Sequence, residues 1–363
     1  MFNEKSMLSS KQLMFLFVSL IQASTFNTAF MIESTKQDIW VVSLSSFIIV
    51  FFLLIIYISL YNKFPKKTVI EIFFKLYGRF LGTVISLSYI FYFWFIIPSN
   101  YRSVGDFFST YMGRNSNITP FIIPLSILCI YTLGKGIEVI ARISCIFSIL
   151  TFLMALIVTI FLVDQIHFYN ILPAFQLNWG QLIQGTNSMI CTLLGEVFVF
   201  MMIFPNLNDQ TKLKKSALMG FSLAYIYLLF ILIRNTLVLG NIGHIQVQPA
   251  YQIASLINVG NVFSRVEILT AIFLLATLFL KICFFTYATV ISITKCFKLT
   301  SYKPLVIPVT IISSILSITI FDSSSDEANV GLNIYPIYAL LFIVIIPIIS
   351  FIIASVKNST TPN

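Results

Sequence analysis

Ten apolar segments recur along this chain of 363 residues, and each can cross a bilayer as a helix. About 20 apolar residues at 1.5 Å rise each span the hydrocarbon core. A β-barrel would alternate polar and apolar residues, whereas Phe47–Ile58 is apolar on all sides. The segments run near Lys11–Ile32, Trp40–Tyr61, Phe80–Ile97, Phe121–Leu133, Ile137–Val163, Leu182–Phe204, Ser216–Leu239, Ile268–Thr294, Leu305–Ile320 and Ile334–Val356. We expect an all-α integral membrane protein with ten transmembrane helices in a single polytopic domain, residues 1–363.

The composition excludes several other classes of protein. Hydrophobic residues make up 58% of the chain and charged residues 10%, whereas an average soluble domain is about 25% charged. So few charges cannot cover the exterior of a soluble fold of this size. A cytosolic enzyme, a secreted disulfide scaffold and a disordered chain are therefore excluded.

The first apolar segment has some features of a secretory leader. Lys5 and Lys11 precede the apolar run Leu13–Ile21, and the small residues Ala23 and Ser24 follow it. However, the apolar pattern resumes after these residues, and nine further spans need no leader. We therefore expect the segment to be the first transmembrane helix.

The positions of the positive charges predict the orientation of the chain. With ten spans and a cytoplasmic N-terminus, 16 of the 22 Lys and Arg residues fall on the inside and five fall outside or toward outer helix ends. This is the bias of the positive-inside rule. The last outer loop, Asp322–Gly331, carries three carboxylates and no cation. The net charge of +9 thus reflects topology and not nucleic-acid binding, and both termini, 1–10 and 357–363, are expected to be cytoplasmic.

The polar break Asp164–Gln181 divides the spans into two sets of five. With an odd number per half, a structural repeat must be inverted across the membrane. The halves, about 11–163 and 182–356, then resemble the five-plus-five arrangement (LeuT/APC type) of the amino-acid/polyamine/organocation transporters and their sodium-coupled relatives. The repeat is inferred from the count alone.

Polar and small residues interrupt the first and sixth spans, at equivalent places in the two halves. Folds of this type bind substrate where the first helix of each half is unwound. Such residues also form ordinary interhelical hydrogen bonds and close packing contacts, so a structural alternative stays open. They are Gln22, Ser24, Thr25, Asn27 and Thr28 in the first span, and Gly185–Ser188, Gly195 and Glu196 in the sixth.

Three ionisable residues lie deep in apolar segments: Lys281, Glu196 and Arg234. A charge at mid-bilayer costs about 2.5–3.5 kcal/mol or more, so each should face the bundle interior and have a partner. A Lys281–Glu196 pair is the simplest arrangement. The pair could fix helix register, or Lys281 could take the place of a coupling cation or release a proton during a conformational change.

Motifs of enzymes and metal sites are absent from the sequence. It has no Gly-rich phosphate loop, no GxSxG, no HExxH and no CxxC. The two histidines lie in predicted outer loops without the spacing of metal ligands. The sequence therefore predicts a membrane binder or carrier without cofactor or metal, and not an enzyme.

Several stretches, taken in order, resemble the B subunits of bacterial spore germinant receptors, the endospore germination permeases. The stretches are Phe64–Glu71, Tyr77–Gly82, Gly136–Arg142, Asn170–Pro173, Gly195-Glu196, Pro205, Lys212–Lys215, and Phe263–Glu267 leading to Lys281 and Tyr287. The chain departs from the family pattern in two places. The first span lacks the usual Gly-rich break followed by a proline, and Ile272–Leu280 lacks a tryptophan often found in the eighth span.

The resemblance implies a nutrient sensor in the spore inner membrane that works with an A subunit and a lipoprotein C subunit. The germinant, commonly an amino acid, would bind near the midplane of the bundle. Mid-span depth gives as candidate binding residues Ser24, Thr25, Asn27, Tyr92, Leu194, Gly195 and Thr286.

Two further pairs have expected roles. Glu196 and Lys281 are candidates for charge coupling within the membrane. Glu138 and Arg142, four residues apart at a cytoplasmic helix start, form a favourable pair that is expected to brace an inner gate. Two alternatives to the sensor stay open: an active proton-coupled amino-acid permease, and an assembly subunit with a degenerate pocket.

Overall fold

The computed structural model describes residues 7–28, 31, 35–111, 117–240, 248–257 and 266–359. Within these residues the chain forms thirteen α-helices and no β-strand. The helices are α1 Ser10–Ser24, α2 Ile39–Asn62, α3 Val69–Tyr111, α4 Thr119–Lys135, α5 Ile137–Phe161, α6 Trp179–Met189, α7 Leu213–Leu239, α8 Pro249–Ser255, α9 Val266–Cys296, α10 Lys303–Thr319, α11 Ser324–Asn329, α12 Tyr335–Leu340 and α13 Ile346–Ser359. Of the sequence features named above, Lys5, Ile32 and residues 263–265 lie outside the described residues.

Seven helical segments of the described chain are long and apolar enough to cross a membrane. They are Lys36–Asn62, Val69–Tyr111, Ile137–Phe161, Trp179–Met202, Gln210–Leu239, Val266–Cys296 and Asp326–Lys357. The shorter apolar helices α4 and α10 coincide with the fourth and ninth predicted spans. Helix α1 covers residues 11–24 of the first predicted span. The all-α membrane fold is confirmed, and the total of ten crossings stays a prediction.

The third span continues beyond its predicted C-terminal end, and a short helical stretch precedes its predicted start across a kink. Helix α3 begins at Val69, bends at Gly78, where φ is 77°, and continues to Tyr111. We expected the span to end near Ile97, and this boundary is wrong because the helix continues through Pro98. A proline within a membrane helix is tolerated where neighbouring groups satisfy the freed backbone atoms, and α3 packs against α9 and α10.

The first and sixth spans form the interior of the bundle. Helix α1 packs against α5, α7 and α9, and its residues are buried from Leu16 to Ser24. A Cβ at Gly220 of α7 would lie 2.8 Å from the carbonyl oxygen of Met14, so these two helices approach closely at a glycine. Helices α2 and α5 instead expose apolar side chains such as Phe52 and Ile160 on their outer faces. Those faces have the character of lipid-facing surfaces.

Both interior spans change their helical winding part-way along. Helix α1 ends at Ser24 and continues as a 3₁₀ turn over Thr25–Thr28. Helix α6 passes into a π-helical segment at Ile190–Leu194 and then into a 3₁₀ helix at Gly195–Met202. Interruptions of this kind are frequent at functional sites. The interrupted first and sixth helices predicted from the sequence are thus present in the described residues.

The connection between the two halves is fixed to the start of α2. The carboxylate of Asp38 accepts hydrogen bonds from the backbone N–H groups of Phe175 and Gln176, at 2.9 and 2.6 Å. The side chain of Gln37 donates to the carbonyl oxygen of Pro173 at 2.9 Å. These contacts hold residues 173–176 beside the interrupted sixth span that follows.

Candidate ligand-binding site

A buried ion pair lies at the centre of the bundle. Lys281 has fifteen residues of α9 on each side, and its Nζ lies 2.6 Å from Glu196 Oε2. The side chains are 0% and 3% exposed. The contact expected from the sequence is therefore present. Removing one partner of such a pair leaves an uncompensated charge in an apolar interior and typically costs about 3–5 kcal/mol.

Ser24 completes this polar cluster from the first span. Its Oγ accepts a hydrogen bond from Lys281 Nζ at 3.1 Å. The same hydroxyl can donate to Glu196 Oε2 at 3.1 Å or to the carbonyl oxygen of Leu20 at 3.0 Å. Ser24 is the last α-helical residue before the 3₁₀ turn. The interruptions of the first and sixth spans are thus joined to α9 through one group of three side chains.

Glu196 also forms part of the wall of a cavity of about 50 Å³. One water molecule needs roughly 10–15 Å³ of cavity volume, so this cavity has room for a few waters or a small ligand group. Its apolar wall comes mainly from α3 and residues 321–331. Its other polar residues are Asn27, Ser99, Asn100, Thr192, Glu327 and Tyr335.

Two polar atoms on this wall are buried and make no hydrogen bond within the described residues: Asn27 Oδ1 and Asn100 Oδ1. Asn100 Nδ2 donates to the carbonyl oxygen of Ile96 at 2.7 Å, so the amide orientation leaves Oδ1 unpaired. A buried unsatisfied polar group costs about 1–3 kcal/mol, and native proteins contain few of them. Two such atoms on one cavity wall favour a site that binds water or a ligand.

Four of the predicted site residues are brought together here. Asn27 and Glu196 line the cavity, and Ser24 lies one hydrogen bond away through Glu196. Lys281 joins them as the partner of Glu196. These residues come from three segments that are distant in sequence, which is the convergence expected of a site between interrupted helices.

The other candidate binding residues make packing contacts outside the cavity wall. The ring of Tyr92 stacks on Phe342 with centroids 4.9 Å apart. Gly195 lies against Ile343, since a Cβ at Gly195 would be 2.7 Å from Ile343 Cγ2. Leu194 is fully buried. The hydroxyls of Thr25 and Thr286 donate to carbonyl oxygens of their own helical turns. Their place in a binding site stays a prediction.

The expected pair at the start of α5 is present and exposed. Arg142 Nη2 lies 3.0 Å from Glu138 Oε1, and the side chains are 68% and 41% exposed. An exposed pair at this spacing contributes only about 0.3–0.5 kcal/mol. A less exposed ion pair, Lys295 Nζ to Glu71 Oε1 at 3.2 Å, links α9 to α3 and was missed by the sequence reasoning. The role of Glu138 and Arg142 at an inner gate stays a prediction.

Five polar residues of the cavity wall were not predicted from the sequence: Ser99, Asn100, Thr192, Glu327 and Tyr335. Ser99 and Asn100 follow Pro98, where we ended the third span too early. Glu327 lies in a run of acidic residues that is typical of an exposed loop. One feature of the sequence could have indicated these wall residues. They are polar residues within or next to long apolar segments, and such residues usually face the bundle interior.

Comparison with known proteins identifies the family. The sequence profile described as spore germination protein matches residues 7–325 of this chain. The chain belongs to the spore germination protein family. Within the family, Spore germination protein KB of Bacillus subtilis (strain 168) is 29% identical over 328 residues, which are 89% of this chain and 88% of that protein.

Two solved transporters have similar structures. Mhp1, a nucleobase-cation-symport-1 family transporter in a closed conformation with bromovinylhydantoin bound, has a TM-score of 0.64 at 15% identity, over 93% of this chain and 76% of its own. A Na⁺-coupled sialic acid symporter in a substrate-bound outward-open state has a TM-score of 0.63 at 15% identity. The match covers 97% of this chain and 90% of the symporter. At this identity the likeness concerns the fold, which is of the LeuT type. The family and the transporter fold predicted from the sequence are confirmed.

Proposed function

We propose that the chain is the nutrient-sensing subunit of a spore germinant receptor and binds a small nutrient, such as an amino acid, to trigger germination. The observation that carries this proposal is the cavity beside Glu196, whose wall holds unsatisfied polar atoms next to both interrupted helices. The spore germination family and the transporter fold support it.

Ligand binding would change the conformation of the bundle through Glu196, which lines the cavity and also belongs to the central ion pair. Glu196 belongs to both, so a bound ligand changes the environment of the carboxylate that holds Lys281 and Ser24. A ligand shifts a conformational equilibrium only by its difference in affinity for the two states. The coupling free energy between two sites is typically about 1–3 kcal/mol. A change in one contact to a buried ion pair alters the free energy by a similar amount.

The family and the charge pattern support the proposed location and partners. We place the chain in the inner membrane of the spore as a multi-pass protein with both termini in the cytoplasm. The basic residues on the predicted inner side and the acidic loop Asp322–Gly331 on the predicted outer side support this orientation. An A subunit and a lipoprotein C subunit are the proposed partners, and the conformational shift is passed to them.

The sensing role is tested in spores. The gene is deleted alone and in a background without other receptors, and the spores are challenged with L-amino acids and sugars. We expect germination in response to one class of nutrient to be lost, and to return with the wild-type gene but not with Glu196→Gln. An unchanged response across the panel in both backgrounds refutes the sensing role.

The second candidate is an active proton-coupled amino-acid permease. The observation that favours it is the buried Lys281–Glu196 pair within a transporter fold, since ionisable residues inside membranes often belong to proton or ion pathways. The protein is reconstituted in liposomes, and amino-acid uptake is measured with and without a pH gradient. Saturable uptake that needs the gradient and is abolished by Lys281→Met establishes the permease, whereas the sensor proposal predicts binding without such uptake.

A further inference from the structure

The cavity carries a second buried carboxylate, Glu327, at the end formed by residues 321–331. We propose that this carboxylate is the counter-ion of a protonated primary amine, so that the ligand class is a small compound with an ammonium group. The inference rests on the proposed function, because it names the chemistry of the ligand that the same cavity binds.

Glu327 forms no ion pair with any residue that the structure describes. Its side chain is buried, and its Oε1 accepts hydrogen bonds from the hydroxyls of Ser99 and Ser103, at 3.1 and 2.7 Å. Two neutral hydroxyls solvate a carboxylate without balancing its charge. A buried anion of this kind is costly until a cation approaches it.

The nearby guanidinium of Arg102 is already engaged. Its Nε lies 2.8 Å from Asp106 Oδ1, and its Nη1 donates to the carbonyl oxygen of Phe321 at 2.7 Å. Arg102 and Asp106 therefore balance each other. Glu196, the other carboxylate of the cavity, is balanced by Lys281. Glu327 is therefore the carboxyl group of the cavity wall that forms no ion pair within the described part of the chain.

The free hydrogen-bonding atoms of the cavity wall also favour an ammonium group. Asn100 Oδ1 and Asn27 Oδ1 are acceptors without a donor, and the Asn100 amide is oriented by its bond to Ile96. An ammonium group has three donors and no acceptor. It can satisfy the carboxylate and an amide oxygen together. A ligand carboxylate or phosphate would instead meet acceptors and the negative charge of Glu327.

The size and the apolar wall limit the rest of the ligand. The cavity measures about 50 Å³, and Phe95, Ile96 and Val330 form apolar parts of its surface. A short aliphatic body fits such a wall. A sugar fits poorly, because its hydroxyls would meet apolar side chains and supply no cation to Glu327.

The test measures ligand binding by thermal unfolding of the full chain in detergent. L-alanine, ethylamine, propionate and glucose are compared at equal concentration, because ethylamine lacks the carboxylate of alanine and propionate lacks its amine. We expect stabilisation by ethylamine and alanine only. Glu327→Gln keeps an acceptor for Ser99 and Ser103 but removes the charge, and should weaken amine binding at least tenfold. Asp322→Asn removes the same charge from an exposed position of the same loop and should leave binding unchanged.

A second variant guards against a fold defect in Glu327→Gln. Asn100→Leu removes the free acceptor without changing charge and should also weaken amine binding. Equal amine affinity in wild type and Glu327→Gln overturns the assignment. Stabilisation by propionate or glucose but not by amines overturns it as well, while leaving nutrient binding intact. Stabilisation by Na⁺ or K⁺ alone, with the same dependence on Glu327 and no further effect of amines, shows an inorganic cation site instead. No stabilisation by any compound contradicts both the inference and the proposed function.

Discussion

Lys281 Nζ lies 2.6 Å from Glu196 Oε2 with both side chains buried, and this contact joins the middle of α9 to the interrupted sixth span. Ser24 adds the end of α1 to the same cluster. In a chain with only 10% charged residues, an ion pair at this place makes the relative position of three spans depend on charge as well as on packing. Changes at these side chains should therefore affect both stability and ligand response.

The ion pair is tested by a double-mutant cycle. Lys281→Met leaves the Glu196 carboxylate buried without its cation, and Glu196→Gln leaves the Lys281 ammonium buried without its anion. Each variant should therefore lower the free energy of unfolding by about 3–5 kcal/mol. The double variant should lose clearly less than the sum, because no buried charge remains. Unfolding in detergent measures all four proteins. The exposed pair Arg142–Glu138 is the control, with a coupling of about 0.5 kcal/mol or less. Additive losses at Lys281 and Glu196 would count against the pair.

The winding change at Gly195 depends on the absence of a side chain. Gly195→Ala places a methyl group 2.6 Å from the carbonyl oxygen of Ile190 and 2.7 Å from Ile343 Cγ2. We expect a loss of about 1–3 kcal/mol, the usual cost of overpacking. Gly134→Ala is the matched control, since a Cβ there meets no atom within 4 Å. If the two variants unfold at the same temperature, the close approach at Gly195 is refuted.

The connection between the halves should loosen when Asp38 is neutralised. Asp38→Asn weakens two charge-assisted hydrogen bonds from the backbone of Phe175 and Gln176, each worth about 1.5–3 kcal/mol. Limited proteolysis should then cleave the connection at least several-fold faster. Asp164→Asn changes an exposed carboxylate of the same connection and should leave the cleavage rate unchanged. Equal rates in the two variants would contradict the anchoring role.

The predicted orientation can be checked by labelling single cysteines. Lys215 and Asp322 are exposed and lie on opposite sides of the membrane in the predicted topology. A membrane-impermeant maleimide should label Asp322→Cys in intact cells, and Lys215→Cys only after permeabilisation. The unsubstituted chain, whose five native cysteines are free, serves as the background control. Labelling in the reverse order would invert the topology.

The spans and the ion pair could be predicted from the sequence because the membrane leaves few alternatives. An apolar segment of sufficient length must be helical to satisfy its backbone hydrogen bonds. Lys281 and Glu196 were then the deepest charges of opposite sign, and burial required that they compensate each other. The pairing needed no knowledge of side-chain packing.

The cavity wall could not be predicted in the same way. Whether α3 continues past Pro98 depends on the neighbours that satisfy its backbone, so Asn100 was left outside the span. Glu327 and Asp322 look alike in the sequence, yet Glu327 is buried against α3 through Ser99 and Ser103 while Asp322 is exposed. Only the tertiary fold distinguishes two carboxylates of one acidic loop.

The claim that a nutrient binds in this cavity is tested most directly by filling the cavity. Val330 lines it, whereas Ile334, in the same π-helical segment, is 58% exposed and lies outside it. The standard L-amino acids are screened for thermal stabilisation of the wild type, Val330→Phe and Ile334→Phe. At 100 times its dissociation constant a ligand should stabilise the wild type and Ile334→Phe by about 2.7 kcal/mol, and Val330→Phe not at all. Undiminished stabilisation of Val330→Phe would place the ligand elsewhere and contradict the account.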